Sequence, residues 1–182
     1  VGGPGAGLGA GAGAGAVLWG DIEPIIEQAA RDVLAMRARE GQALATELER
    51  RLGALAAGAG AIEQRAPARL AAEHARLKKA VADLAAAIPV DEQRLAVELA
   101  LMADRVDITE ELVRLRTHVA ACREALTVEG GPVGKQLGFL AQEILREVNT
   151  IGSKANDAAI TQTVIAMKGE LEKFREQLEN LE

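Results

Sequence analysis

Four carboxylates at helical spacing are the residues in this chain best suited to chemistry. Asp107 and Glu111 are four apart in DRVDITEELVRLRTH, and Glu143 and Glu147 are four apart in AQEILREVNT. Side chains four apart share a helix face, so each pair could help hold a divalent cation. Two pairs from two helices would make an oxygen-ligand site for Mg2+ or Mn2+. Asp107, Glu111, Arg114 and His118 recur by four, three and four along one face. His118 lies roughly 16 Å past Asp107 along the axis, too far to share its ion, and could act as a separate acid or base or stay a surface residue. The plainer reading makes both carboxylate sets solvated ion-pair faces.

The elements that must position these groups are helices. Hydrophobic residues make up 49% of the 182 but aromatics only 2%, with no Tyr, so Ala and Leu supply the apolar fraction. That composition suits an all-α fold packed through small side chains. Asp91 caps a helix, and Leu95, Leu99, Met102 and Val106 form its stripe. The phase then slips, and Ile108, Leu112, Leu115 and Val119 carry the stripe onward to about Leu126. At the slip, Asp107 followed by Glu110 resembles a capping box, which makes a kink or restart another explanation of the acidic residues there. Gly130, Gly131 and Pro132 end this region. A further helix buries Leu140, Ile144 and Val148. The last carries a heptad through Ile160, Val164, Met167, Leu171, Phe174, Leu178 and Leu181, with Asn156 or Asp157 as its cap.

Upstream, apolar residues at helical spacing run from Ile22, Ile25, Ile26, Ala29, Val33 and Met36 to Leu44, Leu48, Leu52 and Leu55. Asp21 and Pro24 suit the first turn, and Gly41, Gly53, Gly58 and Gly60 predict bending or fraying. Leu70, His74, Leu77, Val81, Leu84 and Ile88 make a second seam, which Pro89 ends. His74 reads as a core or register residue of that seam. The two segments predict a long projecting antiparallel hairpin, coiled-coil-like, over about 21–88, turning near Pro67. A helical bundle body follows over about 91–182.

Several function classes recede on composition. Residues 1–16, VGGPGAGLGAGAGAGA, read as a low-complexity linker or poorly assigned stretch ahead of a domain over 17–182. They have neither the basic start of a signal peptide nor the length of a membrane span. With no initiator Met, the chain reads as a fragment. The net charge of −6 opposes a generally basic nucleic-acid binder but leaves room for a local basic surface. Cys122, the single cysteine, excludes an internal disulfide, suits a reducing compartment and reads as a small apolar helix residue. GPVGKQ is not a phosphate loop, because position 129 is Glu and no Ser or Thr follows Lys135.

DEQRLAVELALMADRVDITEELVRLRTH, GKQLGFLAQEILREVNTIGSKANDAAI, the terminal EKFREQLENLE and the upstream REGQAL together resemble the C-terminal half of the YicC/YloC family of bacterial endoribonucleases. The similarity runs from about Trp19 to Glu182, and NTIGSKAND is its most specific part. The resemblance implies a cytoplasmic, metal-dependent enzyme that cuts single-stranded or hairpin RNA in bacterial RNA turnover. It implies manganese as the favoured ion and a ring-like homo-oligomer, a hexamer, with no membrane association. Family members begin with another domain of comparable size, where this chain has its Gly/Ala stretch. The family's basic residue after Gly134 is kept as Lys135, while its usual Asp before Phe139 is Gly138.

With that resemblance, NTIGSKAND becomes a polar turn around Gly152, whose Asn149, Thr150, Ser153, Lys154 and Asn156 could hold a phosphate. Glu143 and Glu147, with His118, are then the candidate catalytic groups, and Asp107, Glu111, Glu143 and Glu147 the candidate metal ligands. Lys135, Arg146, Asn149, Ser153, Lys154 and Arg114 are candidate RNA contacts. Two alternatives stand beside this. One is a non-catalytic helical module for oligomerisation; the other is an RNA clamp whose catalytic groups lie on another domain.

Overall fold

The computed structural model describes residues 18–85, 91–128 and 133–179. Five helices and no strands occur among them: α1 (Trp19–Ala85), α2 (Glu92–Val106), α3 (Thr109–Thr127), α4 (Val133–Ala155) and α5 (Ala158–Leu178). The all-α class follows. By contacts the chain divides into two units, residues 1–41 and 42–182. In the described part of the first unit, one helical stretch leaves its apolar residues exposed, Trp19, Ile25 and Leu34 among them.

The second unit is a four-helix bundle with a two-helix extension. Leu48, Leu52, Leu55, Ala59 and Ile62 of α1 are buried, each no more than 1% exposed. They pack with the α3, α4 and α5 stripes, in which Ile108, Leu112, Leu115 and Val119, then Leu140, Ile144 and Val148, then Ile160, Val164, Met167, Leu171, Phe174 and Leu178 are buried as their spacing predicts. Cross-links fix the directions. Arg51 meets Glu170 at 2.7 Å and Arg65 meets Asp157 at 3.1 Å, so α1 and α5 run antiparallel. Glu49 takes Arg123 at 2.9 Å and Glu63 pairs with Arg116, so α1 and α3 do the same. Cys122 is fully buried, and desolvation pushes its thiol up to about 12, which leaves it unreactive.

Three expectations are corrected. The hairpin does not turn near Pro67: α1 continues through it to Ala85, and the return arm is α2, which lines a groove with Leu70, His74 and Leu77 through Leu99 and Ala103. Burial of Ile62 before Pro67 and of Arg69 after it holds the helix across a residue that alone would break it. The glycines of α1 do not fray it either; a Cβ on Gly58 would lie 2.7 Å from the Met167 sulfur, so glycine there permits the close approach of α5. His74 is exposed on the groove's rim and forms no core. Leu84 and Ile88 of the seam, Pro89, Gly130, Gly131, Pro132 and Leu181 lie outside the residues described at side-chain level.

Asp91 caps α2 as expected, accepting from the backbone N–H of Gln93 and Arg94. The slip at Asp107 is a true break. Asp107 ends α2, and its carboxylate accepts from the Thr109 backbone N–H at 2.9 Å and hydroxyl at 2.6 Å. Glu110 does not close a capping box and instead pairs with Arg114.

Candidate nucleic-acid interface

NTIGSKAND is not a turn around Gly152. Its first seven residues complete α4, and the chain reverses within Asn156 and Asp157 alone. Asn156 adopts φ 43°, the left-handed region that Asn tolerates. Asp157 caps α5 by accepting from the Ile160 N–H at 3.0 Å. That bond and the Arg65 guanidinium hold its carboxyl below the ordinary range. Gly152 lies inside α4, where an added Cβ would sit 3.0 Å from Cγ1 of Val164. It is a packing glycine and makes no turn.

This extra helical length carries Lys154 to the start of α3. Its ammonium donates to Glu111 Oε1 at 2.7 Å and to the Asp107 carbonyl at 3.1 Å. Glu111 is 7% exposed, and its Oε2 is buried with no partner among the described residues. Lys154 is therefore committed to neutralising a buried carboxylate and bracing the α2–α3 break. The Thr109 bonds, hydroxyl first, hold the Asp107 carboxyl below its usual range.

The second carboxylate pair divides. Glu147 is 3% exposed, and its nearest cation is Arg114 of α3 at 3.9 Å. Glu143 is half-buried, with Arg146 at 3.9 Å. His118, half-buried on α3, makes no hydrogen bond or ion pair among the described residues. Among the described residues no three His, Cys, Asp or Glu side chains converge as a metal site would require. Asp107, Glu111, Glu143 and Glu147 thus do not fit a cation site complete within these residues, since a hard cation takes six or more oxygens and Lys154 already sits on Glu111.

The outward face of α4 is a different surface. Lys135, Phe139, Gln142, Arg146, Asn149 and Ser153 recur by four, three, four, three and four, and all are exposed. No carboxylate interrupts this stripe; Glu143 stands on its shoulder. Phe139 is 64% exposed, in a chain with only two Phe and one Trp. Of the candidate contacts, Lys135, Arg146 and Asn149 present their side chains to solvent. Ser153 donates its hydroxyl to the Thr150 carbonyl at 2.9 Å. The spacing of the stripe was readable from sequence. Beside it, Glu143 pairs with Arg146 from the shoulder, while Glu147 turns toward α3.

A family model described as endoribonuclease YicC-like, C-terminal, matches residues 62–182. The chain belongs to this YicC-like family. Two proteins named probable endoribonuclease YicC are similar to it. That of Haemophilus influenzae is 37% identical over 162 residues, covering 89% of this chain and 55% of the relative. That of Clostridioides difficile is 35% identical over 167 residues, covering 91% and 57%. The chain thus spans little more than half the length of these YicC relatives. The family match takes in all of α2 to α5 and the last third of α1, so both the α3–α4 charge pairs and the α4 stripe lie in the YicC-like region.

Proposed function

We propose that this chain is the RNA-engaging helical half of an endoribonuclease that cleaves RNA phosphodiester bonds. The observation that carries this reading is the exposed, carboxylate-free stripe on α4 within a YicC-like domain of an otherwise acidic chain. Cations, amides and one aromatic at a regular rise suit a single strand: Lys135 and Arg146 neutralise phosphates, Gln142 and Asn149 hydrogen-bond sugars or bases, and Phe139 offers a stacking face. Arg114 reaches the same edge from α3. Glu143, on the shoulder of the stripe, is the carboxylate placed to take a proton near a bound phosphate. Glu147 is positioned beside it by Arg114, and His118 is a second proton carrier.

Manganese or magnesium dependence belongs to this proposal as a shared site. Any ion held by Glu143 or Glu147 would need further oxygen ligands from outside the described residues. Assembly as a homo-oligomer, a hexamer, in the cytoplasm belongs to it too. Among the described residues no helix is long and apolar enough to cross a membrane.

Cleavage of a labelled RNA hairpin tests the reading. The chain would be assayed alone and joined to the N-terminal region of a full-length relative, each with Mn2+, Mg2+ or EDTA. The joined protein is expected to cut, and Glu143→Gln with Glu147→Gln to abolish cutting while RNA binding persists. Full activity in that double variant would remove both residues from the chemistry. Lys135→Ala with Arg146→Ala is expected to weaken RNA binding and to flatten its salt dependence by about two counterions' worth.

A second reading has its own support. Lys154 on Glu111, Arg114 near Glu147 and Arg146 near Glu143 draw three of the four acidic groups into ion pairs. On that basis the chain is an RNA clamp and assembly module whose cutting groups lie elsewhere. RNA binding with no loss of cutting in the Glu143, Glu147 variant is its signature.

A further inference from the structure

Where α2 breaks into α3, a cleft of about 550 Å3 opens against the middle of α1. That volume falls among sites for small organic ligands. Its floor is Arg69, Ile108 and Leu112, which are 6%, 2% and 5% exposed. Leu70, Val106 and Val113 form apolar walls, and Asp104 and Asp107 stand on the rim.

Arg69 is the group that calls for an occupant. A guanidinium stays charged, and a buried charge is costly unless paired. Among the described residues its one hydrogen-bond partner is the Lys154 carbonyl, at 3.0 Å; the Glu73 carboxylate, one turn along α1, feels its charge from beyond ion-pair distance. Four of its five N–H donors remain. The Asp104 carboxylate is exposed on the rim and makes no side-chain hydrogen bond or ion pair among the described residues. The remaining Arg69 donors and the exposed Asp104 carboxylate face the same open space.

The charges select the chemistry. Arg69 and Arg116 oppose Glu63, Asp104 and Asp107 around the cleft, so its lining is net negative and a phosphate or free carboxylate is disfavoured. The occupant must be neutral, flat enough for apolar walls, and edged with acceptors for Arg69 and donors for Asp104. Nucleobases combine these properties. We propose that this cleft binds one unstacked nucleobase, with Arg69 donating to its acceptor edge and Asp104 accepting from its amino or imino group.

The base comes from bound RNA or from a free nucleoside; the first source rests on the RNA-engaging reading above. Geometry connects the two regions. Lys154, next to Ser153 at the end of the α4 stripe, donates to the carbonyl of Asp107 on the cleft's rim. A strand lying along the stripe would arrive beside the cleft.

The test titrates the chain with each of the four ribonucleosides by ligand-observed NMR, and with a short labelled RNA and its abasic counterparts by anisotropy. Two variants accompany it. Arg69→Met removes the donor, and Ala103→Phe fills the cleft from α2 while leaving Arg69 in place. Circular dichroism confirms the helices of each. The expected result is saturable binding of at least one nucleoside, or a loss of about tenfold on abasic substitution, abolished by both variants. Nucleoside binding without base-dependent RNA binding identifies the free nucleoside as the occupant. RNA binding that ignores both abasic sites and Ala103→Phe, with no nucleoside bound, overturns the cleft proposal and leaves the RNA reading standing. If neither probe binds, both fall.

Discussion

Two stretches of α1 carry equally regular leucines and reach opposite burial. Leu48, Leu52 and Leu55 are fully buried, whereas Leu70 is 46% exposed and Leu77 only half-buried. The first stretch packs among three helices, while the second meets α2 across a single seam. Leu99 is half-buried and Met102 42% exposed on that partner. Two helices cannot enclose a stripe as four can, so the same heptad makes a core in one place and a groove in the other. Burial here is decided by how many helices meet, and pattern strength does not reveal that number.

Substitutions in the two regions should separate sharply. Phe174→Ala, at a fully buried bundle position, is expected to cost about 3–5 kcal/mol. Leu70→Ala, on the open groove, should cost under about 1 kcal/mol. Urea unfolding monitored by circular dichroism measures both, and equal losses would mean that the hairpin is enclosed in solution by something else.

The polar α3–α4 seam comes next. Lys154→Met leaves Glu111 buried and unpaired, for an expected loss of about 2 kcal/mol, discounted because Lys154 is partly exposed. Adding Glu111→Gln should recover most of it. A double variant as unstable as the single one would show that the pair does not couple the break to α4.

Glycines give a smaller contrast. Gly152→Ala pushes a Cβ against the stiff Val164 side chain and should destabilise by about 1 kcal/mol. Gly53→Ala meets nothing within 4 Å and should stabilise by about 0.5–1 kcal/mol through helix propensity. Thermal melts with the same sign at both positions would remove close packing as the reason for Gly152.

The smallest effect expected is the pH dependence of the α5 cap. The folded Asp157 carboxyl titrates below the ordinary value of 3.8, held there by the Ile160 N–H and Arg65. Its stabilisation is therefore complete above that ordinary value and disappears as pH falls through the lower folded one. Asp157→Ala should be less stable than the native chain at neutral pH and converge with it in acid. A constant gap across an acid titration would contradict the assignment.

Much of the fold could be read directly. The stripes from Ile108 to Val119 and Ile160 to Leu178, the Asp91 cap and the break at Asp107 follow from spacing and side-chain chemistry along short stretches. Pro67 and NTIGSKAND were misleading for one reason: local preference there is overruled by distant packing. Pro67 stays helical between the buried Ile62 and Arg69, and Gly152 is a contact with Val164 on the next helix. The candidate site shows the same division. Its carboxylates were visible as spaced pairs, but Glu111 and Lys154 are 43 residues apart, and nothing in either segment announces that they meet. Arg69 gave no sequence signal at all, since a lone arginine on a helix ordinarily faces water.

Periodicity and composition were enough to specify an all-α chain, because helical repeats are local and survive in one dimension. The family likeness was legible in the same way, as strings of residues. Which carboxylate is buried, which cation holds it, which leucines stay wet and where the cleft opens were decided only when α1 met α3, α4 and α5. Those outcomes depend on pairwise distances between remote residues, which the order of amino acids along each helix does not contain.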